Sequence, residues 1–188
     1  MAIRVANNQS LTAITALPSA VSGGAMTLLE TQTASSSATL SFTSNIDSTY
    51  DEYVFKFYDI HPATDQVDFQ FNFSIDGGSN YNVTKTTTLF RARHTEGGAG
   101  AVLEYRTDQD LAQSTAFQQF SDNTDNDNDS CTSGQLSLFS PSSTVFVKHF
   151  IARSNNVYDD GTVYSMDNYV AGYANTTSAV DAIQFKFS

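Results

Sequence analysis

The stretch Val67-Asp-Phe-Gln-Phe-Asn-Phe-Ser74 alternates four apolar with four polar residues without a break. Successive side chains of a β-strand point to opposite faces, whereas a helix would scatter these phenylalanines around its circumference. The segment is therefore committed to a strand with one buried and one wet face. Tyr53-Val-Phe-Lys-Phe-Tyr-Asp-Ile60 repeats the pattern, with Tyr53, Phe55 and Phe57 on one side. His61-Pro62 ends it, because proline cannot continue a hydrogen-bonded ladder.

Further strands are expected at 26–31, 38–42, 81–93, 102–105, 135–139, 145–153, 169–175 and 182–187. Asp76-Gly77-Gly78-Ser79-Asn80 reads as a turn and Pro141-Ser-Ser as a tight link. Residues 110–121 are compatible with a short helix or an irregular strand. No segment carries a sustained helical stripe. Many short strands separated by turns predict an all-β antiparallel sandwich, with jelly-roll connectivity preferred.

Residues 1–37 are small, polar and nearly uncharged, and they read as an extended N-terminal arm ahead of a sandwich domain at 38–188. Within the arm Ile3, Val5, Leu11, Ile14 and Leu17 supply apolar contacts for a partner surface. Polar residues interrupt the apolar stretch of 11–26, which disfavours a signal peptide and favours synthesis in the cytoplasm.

Composition excludes several functions. The 9 Lys+Arg against 20 Asp+Glu leave a formal net charge of −11. Nucleic-acid binding draws on clustered cations that neutralise phosphates, and anionic membranes would repel such a chain. No apolar run is long enough to span a bilayer as a helix. Cys131 is the one cysteine, so an internal disulfide framework is excluded. The core must come from 14 Phe, 9 Tyr and the β-branched residues, with no Trp.

Asp122-Asn-Thr-Asp-Asn-Asp-Asn-Asp129 is the densest group of oxygen ligands. Asp125, Asp127 and Asp129 have the spacing that opens a calcium loop, yet Ser130 stands where that loop needs glycine and Leu136 where it needs glutamate. The preferred reading is a solvated loop, with calcium as the alternative. Arg91 and Arg93 share a strand face and could grip a neighbouring subunit's carboxylate, although pairing with the chain's own acids is the simpler reading. His61, His94 and His149 lack metal-ligand spacing, no nucleophile elbow is present, and Asp neighbours disfavour a Cys131 thiolate. Catalytic residues and cofactors are accordingly expected to be none.

Several phrases carry a resemblance. They are Met1-Ala-Ile-Arg-Val-Ala-Asn-Asn8, Ser41-Phe-Thr-Ser-Asn-Ile-Asp-Ser-Thr-Tyr50, Tyr53-Val-Phe-Lys-Phe57 and Asp59-Ile-His-Pro62. Gly77-Gly-Ser-Asn-Tyr-Asn-Val-Thr84, Phe146-Val-Lys-His-Phe150 and Val170-Ala-Gly-Tyr173 belong with them. Together they make the chain similar to a family of virion structural proteins of tailed marine bacteriophages of the cyanophage and pelagiphage type. The resemblance implies a structural part of a virion; the short, acidic chain with a candidate anchoring arm then favours a non-enzymatic capsid decoration (cement) protein. A tail or fibre component is one alternative, and a carbohydrate-binding sandwich for a host surface glycan is another. Expected partners are copies of the chain itself, as a homotrimer, and other virion proteins. The alternating run stops at Lys186-Phe187-Ser188, where similar proteins continue through one more strand. The expectation is either a fragment or a last strand paired by another chain.

Overall fold

A computed structural model describes residues 26–188, which contain ten strands and no helix. In chain order these are β1 (Thr39–Phe42), β2 (Glu52–Ile60), β3 (Val67–Ser74), β4 (Lys85–Thr95) and β5 (Ala101–Tyr105). They continue with β6 (Gln118–Thr124), β7 (Thr132–Phe139), β8 (Lys148–Asp159), β9 (Val163–Ala174) and β10 (Ala182–Phe187). The chain divides into two units, Met1–Gln32 and Thr33–Ser188, and all ten strands lie in the second.

One sheet has the order β1-β10-β3-β6 and the other β2-β7-β8-β9-β4-β5. With the β8–β9 hairpin set aside and β10 counted as the eighth strand, the sheets read 1-8-3-6 and 2-7-4-5. That is the arrangement produced when one long hairpin is rolled into two layers, a jelly roll. The four pairs it requires, β1 with β10, β2 with β7, β3 with β6 and β4 with β5, are all antiparallel neighbours. The expected sandwich is therefore observed, enlarged by one hairpin in its wider sheet.

Phenylalanines fill the space between the layers. Phe185 of the smaller sheet meets Phe57 of the larger at 4.7 Å between ring centroids, with Phe55 at 5.7 Å and Phe69 at 5.9 Å. Phe185 and Phe57 sit edge to face, an arrangement the ring quadrupole favours, while Phe55 is tilted and Phe69 stacked against Phe185. Phe71, Phe73 and Phe150 extend the cluster toward the start of β8.

Several expectations are corrected. Residues 26–31 form no strand, and residues 81–84 precede β4 rather than belong to it. Residues 110–117 are neither helix nor strand apart from one bridge between Ser114 and Lys85, and only β6 forms beyond them. Val145 and Phe146 lie before β8, which instead runs on to Asp159, while β9 begins at Val163. On β3 the supposedly wet positions Asn72 and Ser74 are buried, since the Asn72 side-chain amide donates to the carbonyls of Tyr81 and Thr115 in covering segments. The last strand does not present a bare edge either: β10 is paired on one side by β1 and on the other by β3. The arm positions Ile3, Val5, Leu11, Ile14 and Leu17 lie outside the described residues.

Candidate functional site

The inner face of the larger sheet changes character along its length. Phe150, Ala152, Leu89 and Val170 occupy the apolar half. Beyond them Ser154, Asn168, Arg91 and Glu104 lie in one register row, followed by Asn156, Met166, Arg93 and Val102. Polar groups buried there need partners, and most find them, although Asn168 Oδ1, Arg93 Nε and Gln109 Oε1 accept or donate no hydrogen bond among the described residues. Asn168 donates to the Asn156 side-chain carbonyl at 2.9 Å, Asn156 donates to the Asp122 backbone carbonyl at 2.8 Å, and Ser154 donates to the Phe120 carbonyl at 2.5 Å.

Arg91 anchors this region. Its guanidinium contacts the Asp122 carboxylate and donates to Glu104 at 2.7 Å, while Arg106 and Gln109 also donate to Asp122 at 3.3 and 2.7 Å. Burial lowers the Arg91 pKa, opposed by its bond to Glu104, and that bond in turn lowers the Glu104 pKa. Arg91 and Arg93 do share a face, but it is the inner one. The role foreseen for Arg91 on a neighbour's carboxylate is taken by carboxylates of its own chain. Arg93 sits over the Tyr164 ring at 5.2 Å, with its Nε 3.7 Å from Glu104.

The aspartate-rich segment is not the fully solvated loop expected from its composition. Asp122 and Thr124 belong to β6 and are buried, and Asp125 is only 1% exposed. Asp125 and Asp127 line a cleft of about 480 Å³ together with Asp65, Gln66, Asp159, Asp160 and Gly161. Three connections meet there: β2–β3 brings Asp65, β6–β7 brings Asp125 and Asp127, and the β8–β9 turn brings Asp159 and Asp160. Asp129, the third residue of the proposed calcium spacing, is exposed and does not line the cleft. Neither Asp125 oxygen has a partner at hydrogen-bond geometry among the described residues, although the Asp159 backbone and the Asp65 carboxyl lie close enough to act on its charge. Burial pushes the Asp125 carboxyl up to about 6; the nearby Asp159 backbone N–H opposes this, and the Asp65 and Asp159 charges reinforce it. Among the described residues no three His, Cys, Asp or Glu side chains already stand in metal-holding geometry.

The outer face of the larger sheet carries a row that crosses all six strands: Lys56, Gln135, Arg153, Tyr169, Phe90 and Tyr105. Phe90 and Tyr169 stack at 4.8 Å with rings 4° from parallel, and Arg153 lies over Tyr169 at 4.8 Å while forking onto Asp167 at 2.6 and 2.9 Å. Ile151, Tyr58 and Leu103 leave further apolar surface on this face, Leu103 being 74% exposed. Such residues were visible in the sequence, but their alignment into one row follows from register alone.

Cys131 donates weakly to Asp59 at 3.8 Å, and burial followed by the Asp59 charge raises its thiol pKa, which suppresses the nucleophilic thiolate. His61 bonds the Ser130 carbonyl through Nδ1 at 2.7 Å, a loop-fixing contact. No family model, curated protein or solved structure matches this chain.

Proposed function

We propose that this protein is a non-enzymatic structural component of a tailed-phage virion, mounted on the head in many copies as a decoration protein. The observation that carries the reading is the outer face of the six-stranded sheet. Its aromatic row, with Ile151, Tyr58 and Leu103 around it, offers a broad, shallow contact surface rather than an enclosed pocket. Exposed apolar area of this kind suits packing against a neighbouring protein. The resemblance to marine phage virion proteins and the net charge of −11, which keeps unassembled copies apart in solution, support the same reading. A homotrimer would give each copy on the particle surface several such contacts, raising avidity without a large interface per copy.

The test is a surface variant, Phe90→Asp with Ile151→Asp, both at exposed positions. Circular dichroism should report an unchanged sandwich, and incorporation into particles should fall at least tenfold. Full incorporation of a folded variant would remove this face from the assembly contact. A second reading, recognition of a host glycan, is favoured by the same exposed rings, since flat aromatics pack against sugar faces. Saturable binding of the purified protein to a host surface polysaccharide, abolished by Tyr105→Ala, would favour it over head decoration.

A further inference from the structure

We propose that the cleft lined by Asp65, Asp125, Asp127, Asp159 and Asp160 binds a hard divalent cation of the calcium type, with the buried Asp125 carboxylate as its anchor. The inference is independent of where the protein resides.

The argument begins with two aspartates three residues apart that are buried to the same degree. Asp122 receives two arginines and the Gln109 amide. Asp125 has no partner at hydrogen-bond geometry on either oxygen among the described residues. A buried carboxylate left this way is strongly unfavourable unless a proton or a cation compensates it. No lysine or arginine lines the cleft; of its seven lining residues five are aspartates, and the others are Gln66 and Gly161. The described lining therefore concentrates negative charge around an unsatisfied anchor and contains no cation.

The surrounding loops are built to hold that arrangement. Gln66 donates to the Asp159 backbone carbonyl at 2.8 Å, tying the β2–β3 connection to the end of β8. The Asn126 backbone N–H donates to Asp65 at 3.3 Å, tying the β6–β7 connection to the β2–β3 connection. Gly161 N–H takes one oxygen of Asp159 at 2.7 Å, and the Tyr158 hydroxyl takes one oxygen of Asp160 at 3.1 Å. Among the described residues each of these carboxylates accepts a bond at one oxygen alone, and the Asp127 carboxylate at neither. These free oxygens on three tethered loops are hard donors, which select calcium or magnesium over softer metals. Calcium accepts six to eight oxygens in flexible geometry, whereas magnesium demands a tight octahedron. Because no three carboxylates yet stand at ligand spacing, the ion must draw the exposed Asp65, Asp127 and Asp160 side chains toward Asp125. Calcium tolerates that adjustment better.

The intact chain, stripped with chelator, is melted in EDTA, in calcium chloride, in magnesium chloride and in sodium chloride of matched ionic strength. Saturating calcium should raise Tm by roughly 5–10 °C, with a much smaller rise for magnesium and sodium. Asp125→Asn should abolish the calcium-specific rise. Terbium should luminesce through Tyr158, which touches Asp160, and calcium should displace it. If Asp125→Asn does not fold, Asp127→Asn and Asp160→Asn at exposed positions should each weaken calcium affinity at least tenfold. Equal melting in EDTA and calcium, displaceable terbium emission that survives in folded Asp125→Asn, or unchanged affinity in both surface variants would overturn the proposal.

Discussion

The Lys85 ammonium donates to the side-chain carbonyl of Asn72 at 2.5 Å, and neither residue has any exposed surface. The remaining contact of the ammonium is the Val83 carbonyl at 2.9 Å. No carboxylate among the described residues pairs with the ammonium, and burial alone brings its pKa down to about 7. In the unfolded chain the same group holds its proton up to about pH 10.4.

Stability should therefore depend on pH with a definite sign. Between about pH 7 and pH 10 the unfolded chain binds the Lys85 proton more firmly than the folded one, so stability rises with pH across that window. Below it both states are protonated and the cost of burying the charge is constant. Lys148, whose pKa burial also lowers, adds a slope of the same sign. Urea unfolding should show a gain on the order of 2–3 kcal/mol from pH 7 to pH 10, at least halved in Lys85→Met. A falling midpoint, or an unchanged slope in the variant, would contradict this account of Lys85.

The two arginine sites should respond very differently to truncation. Arg91→Ala leaves Asp122 with less compensation inside the sandwich and should cost about 3–5 kcal/mol. Arg153, with 60% of its side chain exposed, pairs with Asp167 in solvent, where screening leaves the pair little net effect, so Arg153→Ala should leave the unfolding midpoint nearly unchanged. Chemical denaturation of both variants checks the contrast, and equal costs would refute it.

How much of this was legible in the sequence depended on what each strand buries. Where the inward positions are apolar, as in Tyr53, Phe55 and Phe57 of β2 or Ile183 and Phe185 of β10, the period of two is plain and the strands stand where they were expected. Where inward positions are polar, both faces look alike and the period vanishes. That is why β6, with Ser121 and Thr124, was left undecided between helix and strand, and why the end of β8, with Ser154 and Asn156, and the start of β9, with Asn168, escaped notice. All of these polar residues are buried. Asp125 could be picked out as a ligand type from its neighbours in the chain. Its companions Asp65 and Asp159 could not, because they are brought to it by sheet topology rather than by spacing.

Gly172 of β9 is crowded by its two neighbours in the same sheet, β4 and β8. A methyl group there would meet the Thr86 carbonyl oxygen at 2.5 Å, Thr87 Cγ2 at 2.8 Å and Phe150 Cζ at 3.0 Å. The backbone oxygen belongs to the neighbouring strand and cannot swing aside. Gly172→Ala should destabilise by about 1–3 kcal/mol, read as a lower melting temperature. Gly97→Ala, where nothing lies within 4 Å, should leave it unchanged.

All ten strands lie in the second unit, so deletion of residues 1–24 should preserve the sandwich. Circular dichroism and melting temperature should be close to those of the full chain. Joining to particles should fall sharply if Ile3, Val5, Leu11, Ile14 and Leu17 anchor it. A truncated chain that joins as well as the intact one would remove the anchoring role.

The copy number of this protein in purified particles tests the central claim most directly. Quantitative mass spectrometry against the major capsid protein as internal standard gives the ratio. A head decoration protein should be present in hundreds of copies per particle, on the order of one for each capsid subunit or each cluster of three. A few dozen copies would place it on the tail instead, and its absence from purified particles would contradict the structural role altogether.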